Sequence, residues 1–502
     1  MTEWTSTVGA GQLARLLGSQ GPGGDAPGRR GRPAYRALAD GIRLLVLEGR
    51  LPVAARLPAE RELAGALRVS RTTVATAFES LRADGFLRSR RGSGSWTAVP
   101  AGRALPARGL EPLPPEAPGG AIDLGCAQLP APEPWLSRAF AAALTTLPQA
   151  ARTHGDYPAG LPALRQALAD RYTARGVPTM PEQIMIATGA MGAVGAICRL
   201  FAPGGDRVAV DQPSYANVLQ LLRENGARLV PVPMGEGLTG WDLPAWRRVL
   251  SEAAPRLAYA IADFHNPTGA LADEERRRDL VAAARSAGTV LVVDETMADL
   301  TIDRDPGALP LPVSAFDPGG STVVTVGSAS KSVWTGLRIG WVRAAPELIR
   351  RLVAARAWAD LGSPVMEQLA VTWLLTEGGW RAALAERREE LRRNRAAMVT
   401  ALRDRLPEWD FAVPGGGLTL WVRTGGLSGS RIADAAERLG VRVASGPRFG
   451  VDGAFEGYVR VPFVVAGPVA AEAADRLAAA VERVAGGTVA GAGLTTPAGY
   501  IS

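Results

Sequence analysis

The segment GSASKSVWTGLRIG, residues 327–340, contains the only lysine of a 502-residue chain. Of 56 Lys and Arg side chains, 55 are therefore arginine. As surface charges the two are nearly interchangeable, but their chemistry differs. A guanidinium stays protonated, whereas an ε-amine can be desolvated, lose its proton and attack a carbonyl. Lys331 is thus a candidate imine-forming residue. Metal chemistry has little to draw on: two histidines (His154, His265) and two cysteines (Cys126, Cys198) make neither a His-based zinc centre nor a disulfide framework. No metal is expected, and both cysteines read as small apolar fillers.

A lysine that holds an aldehyde cofactor such as pyridoxal phosphate (PLP) needs partners. These are an anion for the pyridinium nitrogen, a neighbour for the ring hydroxyl, a flat side chain on the ring and a phosphate cradle. Each has a candidate. LVVDET ends a predicted strand at Asp294, FHNPTG supplies Asn266, and QPSY supplies Tyr215. TGAMGAV follows the strand-like IMIA and opens a helix, so the N–H groups of Gly189, Ala190 and Met191 can hold an anion at the positive helix end. SASKSVWTGLRIG resembles the SxSKxxxPGLRxG motif of fold-type I aminotransferases, with Thr335 in the place of proline. The resemblance implies Lys331 as the Schiff-base lysine, with Ser328 and Arg338 on the phosphate. It assigns Asp294 to the ring nitrogen, Asn266 to the ring hydroxyl and Tyr215 to the ring face. YPAGLPALR resembles the segment whose tyrosine, here Tyr157, reaches the partner subunit's phosphate. YVRVPF resembles the segment whose arginine, here Arg460, grips a substrate carboxylate. Seven such motifs stand in family order across about 300 residues. One departure matters: the family's tyrosine two or three residues after the aspartate is replaced by Thr296 and Met297. Loss of that phenol weakens the case for efficient turnover. His265 reads as structural, and the run RREELRRNR as a solvated helix face.

Elements that position these residues can be read along residues 122–486. Apolar runs IMIA, RVAV, RLVPV, LAYAIA, TVLVVD and STVVTV alternate with helical segments, which predicts a mostly parallel sheet covered on both faces. A long charge-rich helix (LAERREELRRNRAAMV) and a final αβ stretch predict a small C-terminal subdomain. Residues 487–502 read as a flexible tail.

The first hundred residues differ in charge. Between Arg29 and Arg103, 15 arginines face six acidic residues, an excess of +9 in a chain of net +7. A basic module on a neutral body points to a polyanion. Residues 1–32 read as a flexible arm, relieved by an amphipathic piece at QLARLL. Over 33–100, three helical patterns precede two short strands around a Gly-Ser-Gly turn, with Ser70 as an N-cap and Gly85 as a stop. RLPAERELAGALRVSRTTVATAFESLRADGFLRSRRGSGSW resembles the winged helix-turn-helix of GntR-type bacterial regulators. The resemblance assigns contacts with double-stranded DNA to Arg61, Arg71, Thr72 and Gly94, with Arg90 and Arg91 on phosphates. Ala75 stands where some members carry an arginine, which leaves part of the base readout open.

Nine of the 38 prolines fall between residues 100 and 134, and 101–121 read as a linker. Residues 100–121 can span roughly 68 Å if polyproline-like, at about 3.1 Å per residue. The fold class expected is multidomain: an N-terminal winged helix-turn-helix and an α/β fold-type I aminotransferase-like domain. This combination resembles the MocR subfamily of GntR-type regulators. That resemblance implies a cytoplasmic, domain-swapped homodimer in which PLP, or PLP carrying an amino compound held by Arg460, acts as effector. Two alternatives stay open: a working aminotransferase with an appended DNA-binding module, and a sensor of PLP alone. No apolar run is long enough to span a membrane.

Overall fold

The computed structural model describes residues 6–18, 33–90, 94–100, 110, 112, 120–357 and 359–486. Arg91, most of the linker and the 487–502 tail lie outside the described residues.

The N-terminal module is built on helices α1 (Ala10–Leu17), α2 (Ala34–Leu47), α3 (Glu60–Leu67) and α4 (Arg71–Ala83). Within the expected arm, the QLARLL piece is indeed helical: α1 buries Leu13 and Leu17 against the module core. Helix α4 begins where expected, since the Ser70 hydroxyl accepts the Thr73 N–H at 3.0 Å. It ends at Asp84, and Gly85 follows at φ +76°, a conformation that favours glycine. Between those ends Val74, Phe78 and Leu81 are buried, each contributing about 1.5–3 kcal/mol of transfer free energy. Strands β1 (Leu87–Arg90) and β2 (Gly94–Thr97) pair antiparallel in the register Leu87↔Thr97 to Arg90↔Gly94 and form the wing.

After β3 (Ile122–Leu124) the chain runs through α5 (Trp135–Ala150) and α6 (Pro162–Ala174), then alternates. The order is β4 (Ile184–Thr188), α7 (Gly189–Phe201), β5 (Arg207–Gln212), α8 (Ala216–Glu224), β6 (Arg228–Pro233), α9 (Leu243–Ala253) and β7 (Leu257–Ile261). It continues with α10 (Glu274–Ser286), β8 (Val290–Asp294), β9 (Val323–Ser328), the short α11 (Ala329–Ser332) and β10 (Ile339–Arg343). These seven strands form one sheet in the order β4-β10-β9-β8-β7-β5-β6. All neighbours are parallel except β10, which runs antiparallel to both β4 and β9. The six expected strands are all present, and β10 is a seventh beyond them.

Helices α12 (Pro346–Arg356), α13 (Val365–Thr376) and the 27-residue α14 (Gly379–Arg405) lead to the small subdomain. There β11 (Thr419–Arg423), α15 (Gly429–Arg438), β12 (Val441–Ser445), β13 (Tyr458–Pro462) and α16 (Gly467–Ala485) build a second sheet ordered β11-β13-β12-β3. The edge strand β3 joins it from the far end of the domain, pairing parallel to β12. Among the described residues no helix is long and apolar enough to cross a membrane.

The winged module rests on the small subdomain of its own chain. Asp40 of α2 meets Arg431 of α15 at 3.0 Å. Glu48, just past α2 and only 5 % exposed, accepts hydrogen bonds from the hydroxyls of Ser430 and Ser445.

Candidate cofactor and DNA-binding sites

The C-terminal ends of the parallel strands converge on one cavity of ≈ 340 Å³. Its lining includes Lys331, Asp294, Asn266, Tyr215, Ala190, Met191, Arg338 and Arg460. Eight candidates separated by up to 270 positions in sequence thus line one cavity. That is the place where open α/β sheets bind ligands.

Lys331 lies in α11, immediately beyond β9, and its amine donates to the Ala127 carbonyl at 2.6 Å. No carboxylate pairs with it among the described residues. Burial, followed by the positive charge of Arg460, pushes its pKa from the ordinary lysine range down to about 8. The neutral, nucleophilic fraction of the amine therefore rises as pH rises through about 8. Capture of PLP by cofactor-free protein is expected to follow, with a rate that is half-maximal near pH 8 in stopped-flow absorbance. A rate still climbing steeply past pH 10 would mean an ordinary exposed amine.

Asp294 ends β8. Its carboxylate accepts the Thr296 N–H at 2.8 Å and the hydroxyl of Tyr259 from the adjacent β7. Tyr259 is buried beside that carboxylate, and both effects push its pKa well above the ordinary value. It therefore stays protonated and orients Asp294 by donating to it. Tyr215 precedes α8, and burial lifts its hydroxyl to about 12.

The start of α7 abuts β10 closely. A Cβ on Gly340 would lie 2.5 Å from the Gly189 carbonyl carbon, so glycine is required for this approach. Gly189 itself sits at φ +70°, beside the Arg338 guanidinium, which donates to the Thr188 carbonyl at 3.3 Å. The first turn of α7, whose N–H groups lack helical partners, lines the cavity through Ala190 and Met191 beside Arg338, Ser330 and Thr335, a donor set suited to an anion; Gly189 is not in the lining. Ser328 is placed differently from the expectation. It is 3 % exposed, donates to the Ile339 carbonyl at 3.1 Å and accepts the Ser330 N–H, so Ser330 carries the hydroxyl on the cavity wall.

Arg460, on β13, is 1 % exposed. Its guanidinium donates to the Gly125 carbonyl at 2.5 Å and more weakly to Asn266 Oδ1 at 3.4 Å, and it lies 5.0 Å over the Phe449 ring. Its buried Nε has no hydrogen-bond partner, and no carboxylate pairs with it among the described residues. Burial lowers its pKa to about 10, which leaves it charged at neutral pH. A buried cation without a counter-ion, facing a cavity, suits an anionic ligand group.

The chemistry of these donors fits PLP: a softened amine, a braced carboxylate, an aromatic face, an amide and an anion cradle. Tyr157 does not line the cavity of its own chain; its hydroxyl meets Thr153 at 3.1 Å. His265 is 1 % exposed between Asp211 and Thr268, outside the cavity lining. Cys126, read as a filler, does line the cavity, as do Leu110 and Pro112 of the linker. Nothing in the sequence marked these or Tyr259, because a lone Cys, Leu or strand Tyr carries no spacing signal.

On the N-terminal module, Arg61, Arg71, Thr72, Arg90 and Gly94 are all exposed. Arg71 and Thr72 open α4, and its guanidinium stands 3.7 Å from Glu60. Gly94, at φ +118°, opens β2.

Residues 132–478 match the family described as aminotransferase class I and II, and residues 34–96 match bacterial regulatory proteins of the gntR family. The chain is 29% identical over 416 residues to the uncharacterised HTH-type transcriptional regulator YdfD of Bacillus subtilis, covering 78% of this chain and 84% of that one. It is 27% identical over 413 residues to the probable rhizopine catabolism regulatory protein MocR of Rhizobium meliloti, covering 75% and 78%. Among solved structures, LysN, the α-aminoadipate aminotransferase of Thermus thermophilus, in complex with N-(5'-phosphopyridoxyl)-L-leucine, superposes with a TM-score of 0.67 at 28% identity. That similarity covers 74% of this chain and 94% of LysN.

Proposed function

We propose that this chain, which belongs to the aminotransferase class I and II family and carries a GntR-type module at its N-terminal end, is a DNA-binding transcription regulator whose effector domain takes PLP. The carrying observation is a cavity lined by groups suited to PLP, with a softened Lys331 and an Arg460 that lacks a carboxylate partner among the described residues, in one chain with exposed arginines on a winged helix.

When bound, PLP supplies an electrophilic aldehyde and an electron-withdrawing ring. Lys331 would hold the aldehyde carbon, Asp294 the ring nitrogen and Tyr215 the ring face. The α7 N-terminus, Ser330 and Arg338 would hold the phosphate, with Asn266 next to the ring hydroxyl. Arg460 would take the carboxylate of an amino-acid-like effector, its planar fork matching two oxygens. Leu110 and Met297 would exclude water from the effector's side chain.

Turnover is the competing reading, favoured by the intact set of cofactor-holding groups. It is disfavoured by Met297, a buried thioether three residues beyond Asp294, where a phenol would donate to the ring hydroxyl. Multiple turnovers with any amino donor and keto acid, at rates typical of enzymes (about 1–10³ s⁻¹), would overturn the regulator reading.

Two copies are proposed to act together, in the cytoplasm and on DNA. Tyr157 lies outside its own cavity and backs onto Gly362, beside Leu361, which is 60 % exposed. This face suits the second copy, with Tyr157 reaching its phosphate. The long linker permits the winged modules to be exchanged between copies.

On DNA, α4 would enter the major groove and the wing the minor groove. Arg71→Ala is expected to cost about 1–3 kcal/mol of operator affinity and relax specificity at one base position. Arg90→Ala should instead weaken all sequences alike and shallow the salt dependence. Quantitative gel shifts at two salt concentrations separate these outcomes. Unchanged affinity in both variants would remove α4 and the wing from the DNA interface.

A further inference from the structure

The contact between the winged module and the small subdomain uses the end of β12, the strand paired with the β13 residue Arg460 that lines the cavity. Glu48 stands at the end of α2, the helix that packs against the DNA-reading α4. Its carboxylate accepts the Ser445 hydroxyl at 2.9 Å and the Ser430 hydroxyl, and lies 3.4 Å from Arg50. Arg448 donates to the Leu47 carbonyl at 3.4 Å, closing the same contact from the subdomain side. Burial lowers the pKa of Arg448, which the Glu48 carboxylate partly offsets. Asp40 with Arg431 forms the rim, and Glu456 shares the Ser430 hydroxyl at 3.1 Å. This is a buried, hydrogen-bonded polar junction rather than a loose surface contact.

Ser445 is the last residue of β12. In the β12–β13 ladder Ala444 pairs with Arg460, and Ser445 with Val459. The residue that holds Glu48 is therefore one step from the register partner of the carboxylate-binding arginine. The chain then turns through Gly446–Phe449, whose last ring lies under the Arg460 guanidinium at 5.0 Å. The Phe449 carbonyl accepts the Ser214 N–H at 2.8 Å, directly before Tyr215. The 445–449 segment thus touches Arg460, the residue before Tyr215, and the end of α2. Its backbone has little slack: a Cβ on Gly446 would lie 2.0 Å from the Phe455 carbonyl oxygen.

We propose that Glu48 and the Ser445–Phe449 turn form the latch through which cavity occupancy sets the placement of the winged helix. This inference rests on the regulator reading and names the regulation of that same site. A ligand seated against Tyr215, Asn266 and Arg460 pushes on Phe449 and the β12–β13 ladder. That displacement reaches Glu48 through a rigid turn and one hydrogen bond. Contiguous packing of this kind is a physical route for coupling between sites, whose usual magnitude is about 5–150-fold in affinity.

The test uses the full-length chain, its own upstream DNA and PLP as the probe. The readout is the ratio of DNA-binding midpoints with and without PLP. Wild type is expected to show a ratio well away from one. Glu48→Ala is expected to bring it to within about twofold of one, a loss of most of the usual coupling range, while the visible absorbance of bound PLP persists. Ser445→Ala, which removes only one hydroxyl, should lower the ratio part of the way and guards against a Glu48 variant that fails to fold. If wild type responds and both variants respond equally well, the latch is overturned and the regulator reading stands. If wild type responds neither to PLP nor to PLP with a panel of L-α-amino acids, the regulator reading falls and the latch falls with it.

Discussion

Lys331→Ala is expected to abolish retention of PLP and, with it, every effect of PLP on DNA binding, while the cofactor-free protein binds DNA as wild type does. No other amine side chain exists in the chain to take over, and a guanidinium cannot replace it. Lys331→Arg is therefore expected to fail as completely as alanine, although it restores the charge. Covalent attachment gone, residual affinity rests on the phosphate cradle, Asp294 and Tyr215. A loss on the order of 100-fold, about 2.8 kcal/mol, is the minimum expected. Dialysis followed by absorbance spectroscopy measures it. A Lys331→Ala protein that keeps PLP through dialysis, and still changes its DNA binding with PLP, would show that the amine is incidental.

The second large effect concerns Arg460. Removing it should leave PLP attachment within a few-fold of wild type but cost amino-acid binding about 2–5 kcal/mol, the range for truncating one partner of a buried charge pair. That corresponds to a loss on the order of 30- to several-thousand-fold. The ligand's carboxylate would then enter a cavity whose other lining guanidinium, Arg338, is assigned to the phosphate. Arg460→Lys separates charge from geometry: it keeps one positive charge but loses the planar fork, and an intermediate loss is expected. Titration of PLP-loaded protein with a panel of L-α-amino acids, followed by absorbance, gives both numbers. If Arg460→Ala binds amino acids normally, the carboxylate sits elsewhere. If wild type binds no amino compound while responding to PLP, the effector is PLP alone.

Much of this site was legible in the sequence because its chemistry is carried by short motifs at strand ends. Asp294 closes a run of apolar residues, Gly189 opens a helix after another, and Lys331 follows a third. Each motif therefore predicts both the element and the point where it stops. The mostly parallel sheet followed from the same alternation. What stayed hidden has physical reasons. Strand β10 (Ile339–Arg343) overlaps the lysine motif, whose glycines and arginine mask the apolar alternation. Strand β3 has only three residues, and its place beside β12 depends on a pairing across more than 300 positions. Tyr259 lies in a fully buried parallel strand, where an aromatic residue looks like core. Its hydroxyl gains meaning only when Asp294 is seen on the neighbouring strand. Ser328 and Ser330 differ by two positions around the start of a short helix, and only the backbone there decides which hydroxyl reaches the cavity. Glu48 is a third kind of case, since its partners lie 382 and 397 positions away.

The central claim is that PLP in this cavity alters how the chain engages DNA. The most direct measurement is a footprint of the purified full-length protein on its own upstream DNA, with and without PLP, at a fixed salt concentration. Protection of paired half-sites whose extent or spacing changes with PLP is the predicted result. Specific protection that is indifferent to PLP would contradict the claim, and if it is indifferent to added amino compounds as well, a DNA-tethered aminotransferase is the reading to pursue.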